Sequence, residues 1–183
     1  MALKSTIFKA DLQVSDMDRH YYEPHSLTIA RHPSETDERM MMRILAFALH
    51  ADPALGFGKG LSTDDEPDLW QKDLTGAIEL WIEVGQPDEK RIMKACGRAE
   101  RVVIYCYSAT SHIWWGQTTS RVERAKNLEV YQLSSETSQA LAGLAQRTMQ
   151  LQCTVQDGQA WVTAGEASIP VTFTTLKAAQ TAH

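Results

Sequence analysis

The chain has 183 residues, of which 43% are hydrophobic and 22% charged, and this composition excludes a disordered or fibrous protein. Its formal net charge of -5 disfavours non-specific binding to nucleic acid, which requires Lys and Arg to neutralise phosphates, although a local basic patch could still bind one. Three widely spaced cysteines and the lack of any apolar run of about 20 residues exclude a disulfide scaffold and a membrane helix, so we expect a single cytoplasmic domain over residues 1–183.

Two strands are predicted at the start of the chain. Apolar residues alternate with polar ones from Ser5 to Val14, which predicts a half-buried strand. Residues 15–19 supply turn residues, and residues 21–30 can return as a partner strand. Pro24 confines that second strand to a sheet edge, because proline cannot donate a ladder hydrogen bond. The sequence therefore predicts an N-terminal β-hairpin.

The first helix is predicted from a capping signal followed by an apolar stripe. Ser34, with Asp37 three residues later, resembles a capping box, and apolar residues then recur at helical spacing. Glu38 lies three and seven residues before Met41 and Leu45, which places it on the same inward stripe. A carboxylate there is costly unless it is paired, so Glu38 is a candidate site residue.

Residues 51–73 are rich in Gly, Asp and Pro and predict a loop with one short strand near residues 57–61. The glycine-rich part does not match a phosphate-binding loop, because Lys59 is followed by Gly60 instead of Ser or Thr at a helix start. The loop also carries a cluster of acidic residues whose ordinary explanation is a solvated charged surface: Asp64, Asp65, Glu66 and Asp68.

The segment IELWIEV, residues 78–84, alternates in the manner of a strand. One face is apolar, and the other carries Glu79, Trp81, Glu83 and, just beyond the strand, Gly85. Two carboxylates about 4 Å apart repel by about 4 kcal/mol at an effective dielectric of about 20. If Glu38, the acidic loop and Glu83 converge, they therefore require raised pKa values or a bound cation, and oxygen ligands without Cys or His favour magnesium.

A helix starting near Pro87 adds a basic stripe at steps of four, four and three residues: Lys90, Lys94, Arg98 and Arg101. Its ordinary explanation is a solvated face paired with Glu89 and Glu100. The alternative is an electropositive ridge beside the carboxylates, which a phosphodiester substrate would require.

The remaining chain predicts an α/β layer arrangement. Residues 101–107 are apolar on both faces, which is typical of a strand buried in a sheet that is covered on both sides. A helix over residues 112–125, a strand over residues 128–133 and a helix from Ser135 to Met149 follow. Two strands joined at Asp157 and Gly158 end the predicted elements.

The sequence resembles a known protein family. Four segments that together span essentially the whole chain resemble the YaeQ family of bacterial proteins: ARHPSETDERMMMRILAFAL, the DDEP loop, WIEVGQPDEKRIMKAC and TMQLQCTVQDG. The resemblance implies an α/β fold similar to the PD-(D/E)XK restriction-endonuclease-like group. We expect a mixed sheet flanked by helices, with β-hairpins added at the N-terminal and C-terminal ends.

The resemblance also implies a site. In nucleases of that fold, a helix carboxylate, an aspartate after a proline and a strand acid two residues before a lysine bind magnesium, which activates water for attack on phosphorus. Glu38 matches the helix carboxylate and Glu83 matches the strand acid. Asp68 follows Pro67 directly, and Asp65 and Glu66 are close enough to substitute for it. Glu38, Asp65 or Asp68, and Glu83 are therefore the expected metal ligands.

The sequence departs from the nuclease pattern at one position. Gly85 stands where the lysine is expected, two residues after Glu83. Some members of the fold place that lysine on the adjacent helix, and Lys94, with Lys90 behind it, is the residue we nominate for that role.

Two functions from different classes follow. The first is a magnesium-dependent phosphodiesterase or nuclease acting on DNA or RNA, with Glu38, Asp68, Glu83 and Lys94 as catalytic residues. The second is a degenerate nuclease fold that binds a nucleic acid or a protein as a regulatory factor, and Gly85 together with the net charge of -5 motivates it.

Overall fold

The computed structural model describes residues 4–60, 63 and 65–180. The chain divides into two compact units: unit 1 comprises residues 1–51 and 136–172, and unit 2 comprises residues 52–135 and 173–183. The single domain expected over residues 1–183 stays a prediction. The helices and strands, in chain order, are β1 (Thr6–Asp16), β2 (Tyr21–Arg31), α1 (Asp37–Leu49), β3 (Leu55–Phe57), β4 (Leu69–Lys72), β5 (Ile78–Val84), α2 (Glu89–Arg98), β6 (Ala99–Cys106), α3 (Ser111–Val122), β7 (Leu128–Leu133), α4 (Ser135–Ala142), β8 (Thr148–Gln156), β9 (Gln159–Ala164), β10 (Ala167–Val171) and β11 (Phe173–Lys177).

Unit 1 contains a five-stranded mixed sheet in the order β10-β9-β8-β1-β2. β1 and β8 are parallel, and the other neighbours are antiparallel. Every second residue of β1 and β8 is buried, and α1 packs against both strands. The predicted N-terminal hairpin is present as β1 and β2, and Pro24 lies on an edge strand as its missing N–H requires.

The start of α1 differs from the prediction. Thr36, not Ser34, is the N-cap, and its hydroxyl accepts a hydrogen bond from the backbone N–H of Arg39 at 3.1 Å. The Ser34 hydroxyl lies 2.7 Å from Nδ1 of His32, within the turn that precedes the helix. The capping box expected at Ser34 is therefore wrong, because the Ser34 hydroxyl is hydrogen-bonded to the imidazole of His32 and not to the helix N-terminus.

Unit 2 contains a six-stranded mixed sheet in the order β11-β7-β6-β5-β4-β3. The central strands β5, β6 and β7 are parallel, and the outer pairs are antiparallel. The helices α2 and α3 follow β5 and β6 in the chain, and apolar residues of both helices share one core cluster with the three parallel strands. Residues 102–106 of β6 are all buried, as the apolar character of both faces predicted.

The mixed α/β architecture is confirmed, with two mixed sheets and four helices in the described residues. One predicted helix is too long, and one strand was not predicted. The helix expected from Ser135 to Met149 ends at Ala142, and β8 begins at Thr148 because its buried residues alternate with a period of two. The acidic loop also leads into a strand that was not predicted, β4, which pairs with β5. No helix in the described residues is long and apolar enough to span a membrane.

Candidate functional site

Two of the predicted site carboxylates, Asp68 and Glu83, are neighbours in unit 2. Asp68 stands directly before β4, and Glu83 lies near the end of β5, the strand that pairs with β4. Both residues are buried, with exposed fractions of 1% and 4%. Burial, with a further contribution from the charge of Asp68, raises the pKa of Glu83 to about 7. Asp68 and Glu83 therefore form a buried pair of carboxylates where β4 begins and β5 ends.

Backbone groups surround Asp68 on two sides. One carboxylate oxygen, Oδ2, accepts a hydrogen bond from the backbone N–H of Val84 at 2.8 Å. On the other side, Gly60 adopts a positive φ of +47°, and a Cβ added there would lie 2.4 Å from Oδ1 of Asp68. The close approach of the loop to this carboxylate therefore requires glycine at position 60.

Arg91 is the cation that contacts Glu83. The Arg91 Nε–H donates to Oε1 of Glu83 at 2.8 Å, and the indole N–H of Trp81 donates to the same oxygen at 2.9 Å. A terminal nitrogen of Arg91 also donates to the carbonyl oxygen of Glu66 at 2.9 Å. Arg91 thus joins the strand carboxylate to the backbone of the acidic loop.

The nominated lysine has a different neighbour. Lys94 Nζ lies 3.3 Å from Oδ1 of Asp65, and both side chains are more than half exposed. Arg98 donates to the carbonyl oxygen of Asp65 at 2.9 Å, and its guanidinium lies over the ring of Trp81. Lys94 and Arg98 of the predicted basic stripe therefore contact the acidic loop. Arg101, which was predicted on the same helix, lies in β6 and donates to Glu129. Asp64, the remaining acidic residue of that loop, lies outside the described residues.

Glu38 lies in unit 1 and is half-buried. The carboxylate that is fully buried at the start of α1 belongs to Glu35, whose oxygens accept hydrogen bonds from Arg39 at 2.7 Å and from Arg43 at 2.9 and 2.5 Å. The sequence prediction missed Glu35 because it precedes the helical repeat. The arginines four and eight residues later were the available signal, since that spacing places both on one side of the helix. The joint set of Glu38, Asp68 and Glu83 stays a prediction.

The acidic residues of unit 2 that the structure describes lack the arrangement of a magnesium site. In residues 4–60, 63 and 65–180, no group of three or more His, Cys, Asp or Glu side chains is arranged to hold a metal ion. Oε1 of Glu83 faces two N–H donors, and Oδ2 of Asp68 faces a third. Magnesium requires about six oxygen ligands in octahedral geometry, and a guanidinium beside the carboxylate repels it. As arranged, these residues do not fit a magnesium ion.

Comparisons with known proteins agree with one another. A family model described as YaeQ protein matches residues 1–173. The uncharacterized protein YaeQ of Escherichia coli (strain K12) is 46% identical over 175 residues, which covers 95% of this chain and 97% of that protein. The crystal structure of YaeQ protein from Xanthomonas axonopodis pv. citri is 48% identical with a TM-score of 0.91, covering 95% of this chain and 99% of that one. The crystal structure of YaeQ protein from Pseudomonas syringae is 36% identical with a TM-score of 0.92, covering 95% and 97% respectively.

Proposed function

The chain belongs to the YaeQ family, and we propose that it has a restriction-endonuclease-like core that does not hydrolyse nucleic acid and acts by binding a protein partner. The observation that carries the proposal is the contact between Arg91 and Glu83. In a nuclease of this fold the strand acid binds a metal ion, whereas here it binds a guanidinium.

The surroundings of Glu83 support a structural role for this carboxylate. Gly85 stands where the nuclease pattern has its lysine, so no ammonium group is available at that position. Lys94, the nominated substitute, contacts Asp65. Above about pH 7 the Glu83 carboxyl is ionised. Removing one partner from such a buried, hydrogen-bonded ion pair leaves the other charge uncompensated, so the pair resists rearrangement. Displacing Arg91 to admit a metal ion would leave its guanidinium without Glu83, which makes hydrolysis by this pair unfavourable.

The charges of unit 2 favour a protein partner over a nucleic acid. Three cations of α2, Arg91, Lys94 and Arg98, contact groups of this chain instead of standing free for phosphates. The net charge of -5 acts in the same direction, because binding to nucleic acid depends on neutralising phosphates.

A metal-dependent nuclease remains the second candidate, and one observation favours it. Asp68 follows Pro67 and lies beside Glu83, as the PD-(D/E)XK pattern requires. For this function Arg91 would have to leave Glu83 when the metal binds.

A cleavage assay separates the two functions. The protein is incubated with double-stranded and single-stranded DNA and RNA in magnesium or manganese, alongside Glu83→Gln and the matched control Glu100→Gln, which removes an exposed carboxylate of β6. We expect the wild type and both variants to give equally low amounts of cleaved nucleic acid. Metal-dependent cleavage that disappears in Glu83→Gln and persists in Glu100→Gln would instead establish the nuclease.

A titration with nucleic acid tests the partner class. We expect no binding to fluorescent DNA or RNA at low salt. Binding that weakens steeply as salt is raised, and weakens further in Lys90→Ala on the exposed side of α2, would replace the protein partner with a nucleic acid.

A further inference from the structure

The outward face of the unit 1 sheet carries a groove with a volume of about 460 Å³. Its floor crosses the strands β9, β8, β1 and β2, with Gly165 at one end and Pro24 at the other. This volume lies within the range of about 300–1,000 Å³ that small-molecule sites occupy. Every residue that lines the groove belongs to unit 1, whereas Asp68 and Glu83 belong to unit 2.

The side chains on this face are mostly polar, and Lys9 and Asp11 are the charged residues that β1 contributes to it. Exposed faces of antiparallel sheets usually carry Lys and Glu among their polar residues. The outward positions of β8 include none of these charged residues, although 22% of the chain is charged: Thr148, Gln150, Gln152, Thr154 and Gln156. The groove residues include one acid, Asp11, and no Lys or Arg. A multiply charged ligand of either sign therefore lacks counter-charges here.

The strand register aligns these side chains in rows. Gln152 of β8 stands between Gln13 of β1 and Thr163 of β9. In the adjacent row, Asp11 stands between Gln150 and Ser26. Neighbouring strands are about 4.8 Å apart, so each row presents several hydrogen-bonding groups at regular intervals.

One row is held in place and the other retains bonding capacity. Asp11 accepts hydrogen bonds from Nε2 of Gln150 at 2.9 Å and from the hydroxyl of Ser26 at 3.2 Å. Gln152 makes no side-chain hydrogen bond to any described residue. A glutamine amide offers two donor hydrogens and an acceptor oxygen, so it pairs best with neighbouring groups that both donate and accept. Hydroxyl groups on adjacent carbons have this property and carry no charge.

Aromatic side chains flank the groove on its neighbouring row. The register places Trp161 of β9 and Tyr22 of β2 in one row that passes through Thr154 and Ser15. Tyr22 is 52% exposed, and Trp161 is half-buried. Indole and phenol rings combine an apolar face with a polar edge, which suits the C–H face of a sugar ring. We propose that this face binds a neutral polyhydroxylated ligand, a saccharide of a few rings, through its Gln and Asp side chains.

Calorimetry and NMR with defined probes test this site. The probes are maltotriose, cellotriose and triacetylchitotriose, with spermidine and inorganic phosphate as charged comparisons, each at up to millimolar concentration. We expect at least one trisaccharide to shift the side-chain amide signals of Gln13, Gln150 or Gln152. Its affinity should fall about tenfold in Gln152→Thr, which keeps a residue suited to a strand. Gln117→Ala, on the exposed side of α3 in unit 2, should leave the affinity unchanged.

Three results would overturn the proposal. These are the absence of binding by all three trisaccharides, an affinity equal in Gln152→Thr and the wild type, and binding confined to spermidine or phosphate. None of them bears on the function proposed for unit 2, because that function rests on Arg91 and Glu83 and is tested by cleavage and titration with nucleic acid.

Discussion

Glu83 shows how far single residues can be predicted from this sequence. The strand alternation placed Glu83 and Trp81 on one face, and the indole of Trp81 does bind the Glu83 carboxylate. Arg91 was missed, because the basic stripe was followed from Lys90 in steps of four and three. Helical spacing shows which residues share a side of a helix, whereas the rotation of α2 on its sheet decides which cation reaches inward.

The raised pKa of Glu83 predicts a pH dependence of stability. Burial first, and then the neighbouring Asp68, raise this pKa from 4.5 to about 7. Between these pH values the folded protein holds a proton that the unfolded chain releases, so the free energy of unfolding falls as pH rises. Relative to Glu83→Gln, which cannot ionise, the wild type should lose about 3 kcal/mol over this interval, measured by urea unfolding.

The control for this measurement is Glu100→Gln, which removes an exposed carboxylate of β6. Its free energy of unfolding should follow the wild type across the whole interval. If the free energies of unfolding of the wild type and Glu83→Gln changed in parallel with pH, Glu83 would not titrate near pH 7.

Elements were predicted best where the hydrophobic period was unbroken. β1, β5 and β6 were found from alternation or from continuous burial. β8 was found as the first of the two strands joined at Asp157 and Gly158, although the predicted helix to Met149 overlapped its first two residues. β4 has no such signal, because its four residues are defined by pairing with β5. A short strand of this kind depends on its tertiary partner more than on its own sequence.

The N-terminus of α1 gives a prediction that distinguishes two adjacent caps. The Thr36 hydroxyl accepts from the Arg39 N–H, so Thr36→Ala should lower the free energy of unfolding by about 1 kcal/mol. Ser34→Ala leaves that bond intact and should cost less, although the sequence favoured Ser34 as the cap. Thermal or urea unfolding of the two variants measures the difference, and an equal loss in both would contradict the assignment of Thr36.

A buried ion pair joins Glu35, just before α1, to Arg43 within the helix, and its loss should be severe. Glu35→Ala leaves Arg43 buried without its bidentate partner, so we expect the free energy of unfolding to fall by about 3–5 kcal/mol. Glu38→Ala is the matched control: Glu38 is half-buried and makes no ion pair with any described residue. Urea unfolding should show only a small change in the free energy of unfolding for Glu38→Ala. A similar loss in both variants would show that the ion pair between Glu35 and Arg43 does not contribute more to stability than an unpaired carboxylate.

At the scale of the whole molecule, the sequence predicted the α/β class but not which sheet each strand joins. β1 pairs with β8 in parallel, although the paired residues, such as Lys9 and Thr148, are far apart in the sequence. The last strands divide between the units: β8, β9 and β10 belong to unit 1, and β11 joins β7 in unit 2. Alternation reveals that a segment is a strand, whereas partner choice depends on packing between residues distant in sequence.

This division of the C-terminal strands predicts a local effect of truncation. Ending the chain after Val171 removes β11, whose Phe173 lies near the ring of Tyr131 and whose Lys177 donates to the carbonyl oxygens of Ala125 and Leu128, but it leaves every strand of unit 1. β7 then becomes an edge strand, so its amides should exchange with deuterium faster, by a larger factor than those of β8. Peptide-resolved hydrogen exchange measures both strands, and full-length Thr174→Ala, at an exposed position of β11, should exchange like the wild type. An equal acceleration in β7 and β8 would show that the loss of β11 acts on the whole molecule instead of on unit 2.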